Sequence, residues 1–218
     1  MIPAKHFYMI RHGETEANKA RIMAGSFDSP LTDHGRSQAA VARDIVESLE
    51  VKPKAIIHSH LSRARDTASI INEALNVPMH EEKDIAELHA GDWEGVPYEE
   101  CEELLSGWPE PPNGETFQDF CTRIKRGKNN ILTEHNGPVL VVSHGGVFRA
   151  FGGLYGLQTP GVFKNCHLYE FQPDVANTIF PWEVWSYEQK QAIERIKEDV
   201  FHTSEHLPPH HERAERTA

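Results

Sequence analysis

The sequence predicts an α/β fold, a three-layer sandwich whose mostly parallel central sheet is flanked by helices, and three observations predict it. Short apolar strands alternate with amphipathic helices from residue 7 onward, in the order strand, helix, strand, helix. Val139-Leu140-Val141-Val142 is apolar at every position, as a strand buried on both faces must be, whereas a half-exposed strand would alternate. Polar groups also follow the strands directly: Arg11-His12 after the first, Arg63 after the second and His144 after the apolar one. In such sheets ligands bind beyond the carboxyl ends of the strands, so these groups should converge on one edge.

Each element has its own signal. Phe7-Tyr8-Met9-Ile10 reads as a buried strand running into Arg11-His12-Gly13-Glu14-Thr15. Thr32 caps a helix with Ala42, Ile45, Val46 and Leu49 at i, i+3, i+4 and i+7, and Lys52-Pro53 stops it. Ala55-Ile56-Ile57-His58 is the next strand, and Ser62 is the expected N-cap of a helix striped by Ala64, Ala68, Ile71 and Leu75. The pattern then loosens: Asp84 to Glu94 reads as strand and loop, and Trp108-Pro109-Glu110-Pro111-Pro112 as a structureless connection. Thr116 opens a helix with Phe117, Phe120, Cys121 and Ile124 on one face, and Asn136-Gly137-Pro138 ends it. Gly127 should weaken its second half by about 1 kcal/mol relative to alanine. A helix through Val147, Phe148, Phe151 and Leu154 follows Ser143-His144-Gly145-Gly146, and Leu168 to Phe171 and Glu183 to Tyr187 read as strands.

Past Tyr187, the spacing of Ile193, Ile196 and Val200 predicts a helix. The chain is therefore divided into a domain over residues 1–187 and a C-terminal helical extension with a polar tail over 188–218, which is expected to fray. That apolar stretch would pack on its own domain or build a homodimer.

A chain of 218 residues is enough for one domain with a sizeable core. Lys and Arg total 22 against 33 Asp and Glu, and a net charge of −11 repels polyanions, which argues against nucleic-acid or anionic-membrane partners. With 39% hydrophobic and 25% charged residues the composition is globular, and no apolar run approaches the roughly 18–20 residues that cross a bilayer. The first residues carry no export signal. Cys101, Cys121 and Cys166 are odd in number, far apart and without Cys-x-x-Cys spacing, so reduced thiols and a cytoplasmic location are expected.

Two arginines and two histidines at one strand edge make a pocket of strong donors suited to a phosphoryl group. The guanidinium fork matches phosphate oxygens, and hydrogen bonds to charged groups contribute about 1.5–3 kcal/mol each. A histidine can attack phosphorus when one ring nitrogen is bare and the other is tied to an acceptor, and His12 could use a local backbone carbonyl for this. The sequence has no glycine-rich lysine loop and no magnesium-type spacing of acids, so neither metal nor cofactor is expected. His202 and His206 fall one turn apart on the predicted C-terminal helix but lack further ligands, which favours a surface role. Ser143 reads as a strand-end hydroxyl, His58 and His60 as structural histidines, and Arg123, Lys125 and Arg126 as a solvated helix face.

Several motifs in order carry a family resemblance. They are Arg11-His12-Gly13-Glu14-Thr15 with Asn18, Gly25, Asp28, Pro30-Leu31-Thr32, Gly35 and Gln38-Ala39; Leu61-Ser62-Arg63-Ala64 with Thr67-Ala68; Glu87-Leu88 with Gly91-Asp92-Trp93-Glu94-Gly95; and Ser143-His144-Gly145-Gly146. Over roughly residues 5 to 187 the chain resembles the histidine phosphatase superfamily, the phosphoglycerate mutase-like family. The resemblance implies that His12 forms a phosphohistidine while Arg11, Arg63 and His144 clamp the phosphoryl oxygens. It implies that Glu87 protonates the leaving alcohol and then takes a proton from the hydrolytic water. Gly25 and Gly145 are placed by it around the substrate, and Asn18 is either a further phosphate contact or a turn residue. Ala24 stands where many relatives have a hydroxyl or an amide, which removes one contact. A free glutamate titrates near 4.3, so either an activity maximum below neutrality or a shielded Glu87 is expected.

Fifty-six residues separate Glu87 from His144, and they hold one predicted helix. That is too short for the insertion that covers the site in the glycolytic mutases of the family. Glu99, Glu100, Glu102 and Glu103 make the segment acidic, whereas a mutase needs an enclosed basic pocket. A hydrolase of small phosphomonoesters is therefore favoured over a phosphoglycerate mutase. A non-catalytic phospho-ligand scaffold is disfavoured because His12, Arg11, Arg63, Glu87 and His144 are all present. The loops at Trp93 to Pro112 and Phe163 to Cys166 should shape the leaving-group side, and they suit a small alcohol, sugar or nucleotide phosphate alike.

Overall fold

The computed structural model describes residues 2–101 and 110–203. In chain order the elements are β1 (Phe7–Arg11), α1 (Glu16–Lys19), α2 (Asp33–Ser48), β2 (Ala55–His58), α3 (Ser62–Leu75), β3 (Met79–Glu81), α4 (Phe117–Glu134), β4 (Val139–Ser143), α5 (Gly145–Gly153), β5 (Leu157–Gln158), β6 (Leu168–Pro173), β7 (Trp182–Gln189), β8 (Ile193–Glu198) and β9 (His202–Thr203). Seven strands form one sheet in the order β3-β2-β4-β1-β6-β7-β8, and β5 pairs with β9 separately. The pairings β3-β2, β2-β4 and β4-β1 are parallel. From β1 onward the pairings to β6, β7 and β8 are antiparallel, so the parallel character belongs to the half that carries the site.

Alternation along β1 sets the three layers. Tyr8 and Ile10 pack with Ala42, Ile45, Ala64 and Ile71 beneath α2 and α3, while Phe7 and Met9 point the other way, to Phe120, Ile124, Phe148 and Phe151 of α4 and α5. β4 is buried along its whole length between the same two layers. Lys128 of α4 is also fully buried. Its ammonium group lies 4.2 Å from the Phe7 ring centroid, 4.9 Å from that of Phe151 and 3.0 Å from Met9 Sδ. Gly127, beside it, lets α4 approach the turn Lys83–Ile85, since a side chain there would press on Asp84. The close approach offsets the helix-propensity cost.

The caps at Thr32 and Thr116 form as expected, accepting from Gly35 N at 2.9 Å and Asp119 N at 3.0 Å. The cap at Ser62 does not. Leu61 is the N-cap and has no side-chain bond; Asp28, from a distant loop, accepts from Ser62 N at 3.0 Å and Ser62 Oγ at 2.8 Å. A tertiary cap of this kind leaves no local signal. The strand expected within Asp84 to Glu94 lies earlier, at Met79–Glu81, and the window itself holds short 3-10 turns at Lys83–Ile85 and Gly91–Trp93. β3 is a sheet edge whose His80 and Glu81 are exposed, so it shows no apolar alternation.

The helix expected past Tyr187 is a correction of another kind. Ile193 to Glu198 is strand β8, antiparallel to β7 with Ser186 opposite Ile196. Isoleucines three apart satisfy a helical template, but β7 would otherwise leave its outer ladder groups unpaired, and the reversal at Lys190 to Ala192 brings β8 onto it. The sheet thus runs through Glu198, and Val200 and Phe201 return to the core. Trp108, Pro109, Glu102, Glu103, His206 and the tail from 204 lie outside the described residues. No helix among the described residues is long and apolar enough to cross a membrane.

Candidate active site

β1, β2 and β4 run parallel, so the residues that leave their carboxyl ends meet on one edge. His12 is 4% exposed and its N–H donates to Ser143 O at 3.0 Å, which carries the β1-β4 ladder into the site. Its Nδ1 lies 2.7 Å from Gly13 O. A carbonyl only accepts, so Nδ1 holds the proton and Nε2 is bare. Burial, together with the Arg63 and Arg11 cations, holds His12 well below the usual histidine range, so the ring is neutral.

Arg63 enters from the first turn of α3 and is 1% exposed. It donates to Phe27 O at 2.9 Å and Gly25 O at 2.8 Å, and its Nε donates to His144 Nδ1 at 3.3 Å. His144 Nδ1 is therefore the acceptor and Nε2 carries the hydrogen. Burial and the neighbouring Arg63 hold this ring neutral too. The two imidazole centroids are 5.2 Å apart. Arg11 donates through Nη1 to Phe163 O at 2.6 Å. Arg11 Nε and His144 Nε2 are buried without a partner among the described residues. Each unmatched donor costs about 1–3 kcal/mol, and an anion's oxygens would supply what they lack.

Gly25 takes φ +53°, and a side chain there would strike the Glu94 carboxylate. Glu94 Oε1 accepts from Ser26 N and Ser26 Oγ, both at 2.8 Å, and from Ala90 N at 3.0 Å. The loop whose carbonyls hold Arg63 is thus itself held by Glu94. Gly145 opens α5 and lines the cavity, with the Arg11 guanidinium packed beside it. Glu87 accepts from Leu88 N at 2.9 Å and from Gly146 N at 3.1 Å. A side chain at Gly146 would occupy the place of that carboxylate.

These groups surround one cavity of about 490 Å³. Its wall beyond the polar seat includes Met23, Leu88, Trp93, Tyr98 and Val162. All five expected catalytic residues are in or beside it: Arg11, His12, Arg63 and Glu87 line it, and His144 touches Arg63 and His12 behind it. Asn18 takes the turn role, and its place in the cavity wall leaves a phosphate contact open to it. It completes a capping box with Thr15 and also lines the cavity.

Sequence reasoning missed Arg149 of α5, and it did not single out Tyr98 and Asn165 within the two loops it assigned to the leaving-group side; all three line the cavity. It also misread Arg123, which is not solvated. That side chain donates to Asp84 O, Ala86 O and Glu87 O at 2.9, 3.0 and 3.3 Å and pairs with Glu115 at 2.7 Å, so it buttresses the Glu87 main chain. Lys125 and Arg126 are exposed. His58 is buried with Nδ1 2.9 Å from Ser59 O, and His60 is exposed. Ser143 Oγ is a buried strand-end hydroxyl. His202 lies in β9 rather than a helix. The three thiols are free and buried, and burial pushes Cys121 and Cys166 up to about 12.

The sequence model of the histidine phosphatase superfamily (branch 1) matches residues 7–173. A glucosyl-3-phosphoglycerate phosphatase of Mycolicibacterium vanbaalenii is 30% identical over 70% of this chain and 75% of its own. An adenosylcobalamin/alpha-ribazole phosphatase of Salmonella typhimurium is 33% identical over 64% of this chain and 74% of its own. Among solved structures, Bacillus stearothermophilus YhfR superposes with a TM-score of 0.71 at 28% identity, covering 83% of this chain and 95% of that one.

Proposed function

The chain belongs to the histidine phosphatase superfamily (branch 1), and from that premise we propose that it hydrolyses small phosphomonoesters through a phosphohistidine on His12. One observation carries the reading: a neutral histidine with a bare Nε2 lies among buried N–H groups of Arg11 and His144 that have no partner of their own among the described residues. The phosphoryl oxygens would take those donors together with Arg63 and the N-terminal end of α5 at Gly145. His12 Nε2 attacks phosphorus, a P–N bond forms, and the P–O bond to the alcohol breaks. Glu87 gives its proton to the leaving oxygen. Water then attacks phosphorus, Glu87 takes the proton back, and His12 is released with inorganic phosphate. Positioning and charge stabilisation supply most of the rate, as expected for in-line phosphoryl transfer.

The two named relatives act, by their names, on phosphoesters of quite different alcohols. The shared part of the substrate is thus the phosphoryl group, and the Met23, Leu88, Trp93 and Val162 wall faces the variable part. The test is to incubate the protein with a radiolabelled phosphomonoester in the presence of a chelator and quench in alkali. Acid-labile label on His12, lost in His12→Ala, is expected along with release of inorganic phosphate. Turnover surviving His12→Ala defeats the reading, and phosphoryl transfer between the two hydroxyls of phosphoglycerate in excess of phosphate release would make the protein a mutase.

A further inference from the structure

Asn165 lies on the loop before β6, half-buried, and lines the same cavity as His12. Its Nδ2 donates to His12 O at 2.7 Å. A main-chain carbonyl can only accept, so the side-chain nitrogen must be on that side. The same peptide is held at its other polar atom, where Gly13 N donates to Thr67 Oγ1 at 3.0 Å, and Thr67 in turn donates to Arg63 O at 2.7 Å. The peptide that carries the nucleophile is thus gripped from two elements.

The orientation of Asn18 follows by the same logic. Thr15 N, a donor only, lies 3.3 Å from Asn18 Oδ1, and Asn165 Nδ2 is a second donor at 3.4 Å from the same oxygen. The amide oxygen is thereby turned toward main chain and Asn165. The NH2 group is left on the other side, 3.4 Å from the hydroxyl of Tyr98, a further cavity residue. A phosphoryl oxygen is an acceptor, so this orientation offers it a donor, whereas the flipped amide would oppose it with a lone pair. The Asn165 loop has little freedom: Phe163 O accepts from Arg11 Nη1 at 2.6 Å, and Cys166 N donates to Arg11 O at 2.9 Å.

We propose that Asn165 is a positioning residue for phosphoryl transfer, fixing the His12 main chain and turning the Asn18 amide nitrogen toward the phosphate seat. The inference rests on the phosphohistidine reading above. A structural tie between the loop and β1 would also explain the 2.7 Å bond, so the test must separate the two.

Asn165→Ala and Asn165→Asp are made in the full chain, alone and combined with Asn18→Ala, and phosphohistidine formation is followed by rapid quench alongside thermal unfolding. Both single variants should form the intermediate about 10–100-fold more slowly with little change in Tm, because small misplacements of reacting groups cost that much. Asn165→Asp should be the slower, since its carboxylate opposes the His12 carbonyl and the Asn18 oxygen. In the Asn18→Ala background the loss from Asn165→Ala should shrink, which is the signature of action through Asn18. Wild-type rates in Asn165→Ala would overturn the assignment. An equal loss in both backgrounds would overturn its Asn18 half, and a loss that tracks a fall in Tm would reduce Asn165 to a structural tie. Absence of label from the wild type itself defeats the phosphohistidine reading, and the assignment with it.

Discussion

Gly146 shows how closely the site is built around main chain. The Glu87 carboxylate rests on its N–H, where no side chain fits. Gly146→Ala should therefore displace the acid while leaving His12 and the two arginines in place. General acids contribute typically about 10²–10⁴ in rate, so kcat/KM, which reports the step in which the alcohol leaves, should fall about a hundredfold on alkyl phosphates. On an aryl phosphate with an acidic phenol it should fall far less, because that leaving group needs no proton. Equal losses on the two substrates would remove Glu87 from the acid role. At this scale the sequence is informative wherever a residue sits in a short motif: Arg11, His12, Arg63 and His144 are legible because they follow strands, and Glu87 through the Glu87-Leu88 motif of the family resemblance. Asn165 and Arg123 are not, because each acts through hydrogen bonds to carbonyls far away in sequence, and neither a lone asparagine nor a helical charge run encodes such a partner.

The antiparallel half of the sheet is organised around one buried acid. Glu170 of β6 accepts from Tyr187 of β7 at 2.7 Å and Arg195 of β8 at 2.8 Å, and lies 2.8 Å from His6 Nε2. Burial alone would raise its pKa, but the bonds from His6, Tyr187 and Arg195 outweigh it and bring Glu170 down to about 2. A depressed carboxylate contributes stability that is present above its ordinary pKa and is lost as pH falls toward the folded value. Glu170→Gln should therefore lower stability by about 1.5–3 kcal/mol near neutrality, the range for hydrogen bonds to a charged group. The deficit should narrow between about pH 4.5 and pH 2. Denaturant titrations across that range check both statements. The Arg195 contact also explains why a helical reading of residues 193–200 fails, since the pattern of apolar residues is silent about a carboxylate waiting on β6. The helices α2, α3, α4 and α5 and the strands β1, β2 and β4 are legible because local period and tertiary burial agree in them.

For the molecule as a whole, stability should respond to the proton on Lys128. Burial among Phe7, Phe151 and Met9 lowers its pKa from 10.5 to about 7, and no carboxylate pairs with it among the described residues. Between those two values the unfolded chain binds a proton that the folded chain does not, so this residue makes stability rise with pH from about 7 to about 10.5. Below that window both states carry the proton and the full cost of burying it persists. Lys128→Met, of similar length and without the charge, should be the more stable protein at pH 7, by an amount on the order of a few kcal/mol that fades by pH 10. Unfolding of the two proteins at a series of pH values measures this difference, and a constant gap would show that Lys128 is not neutralised in the fold.

The place of β1 between β4 and β6 has a consequence for biosynthesis. The strand that leads into His12 is made before both of its neighbours in the sheet, which lie opposite it at Leu140 to Ser143 and Leu168 to Phe171. Until β4 has been made the nascent β1 has neither ladder partner, and its apolar run must be kept from other chains. The phosphoryl seat is completed only when the loop carrying Phe163 and Asn165 emerges, so truncated products of this message hold the nucleophile without the means to use it.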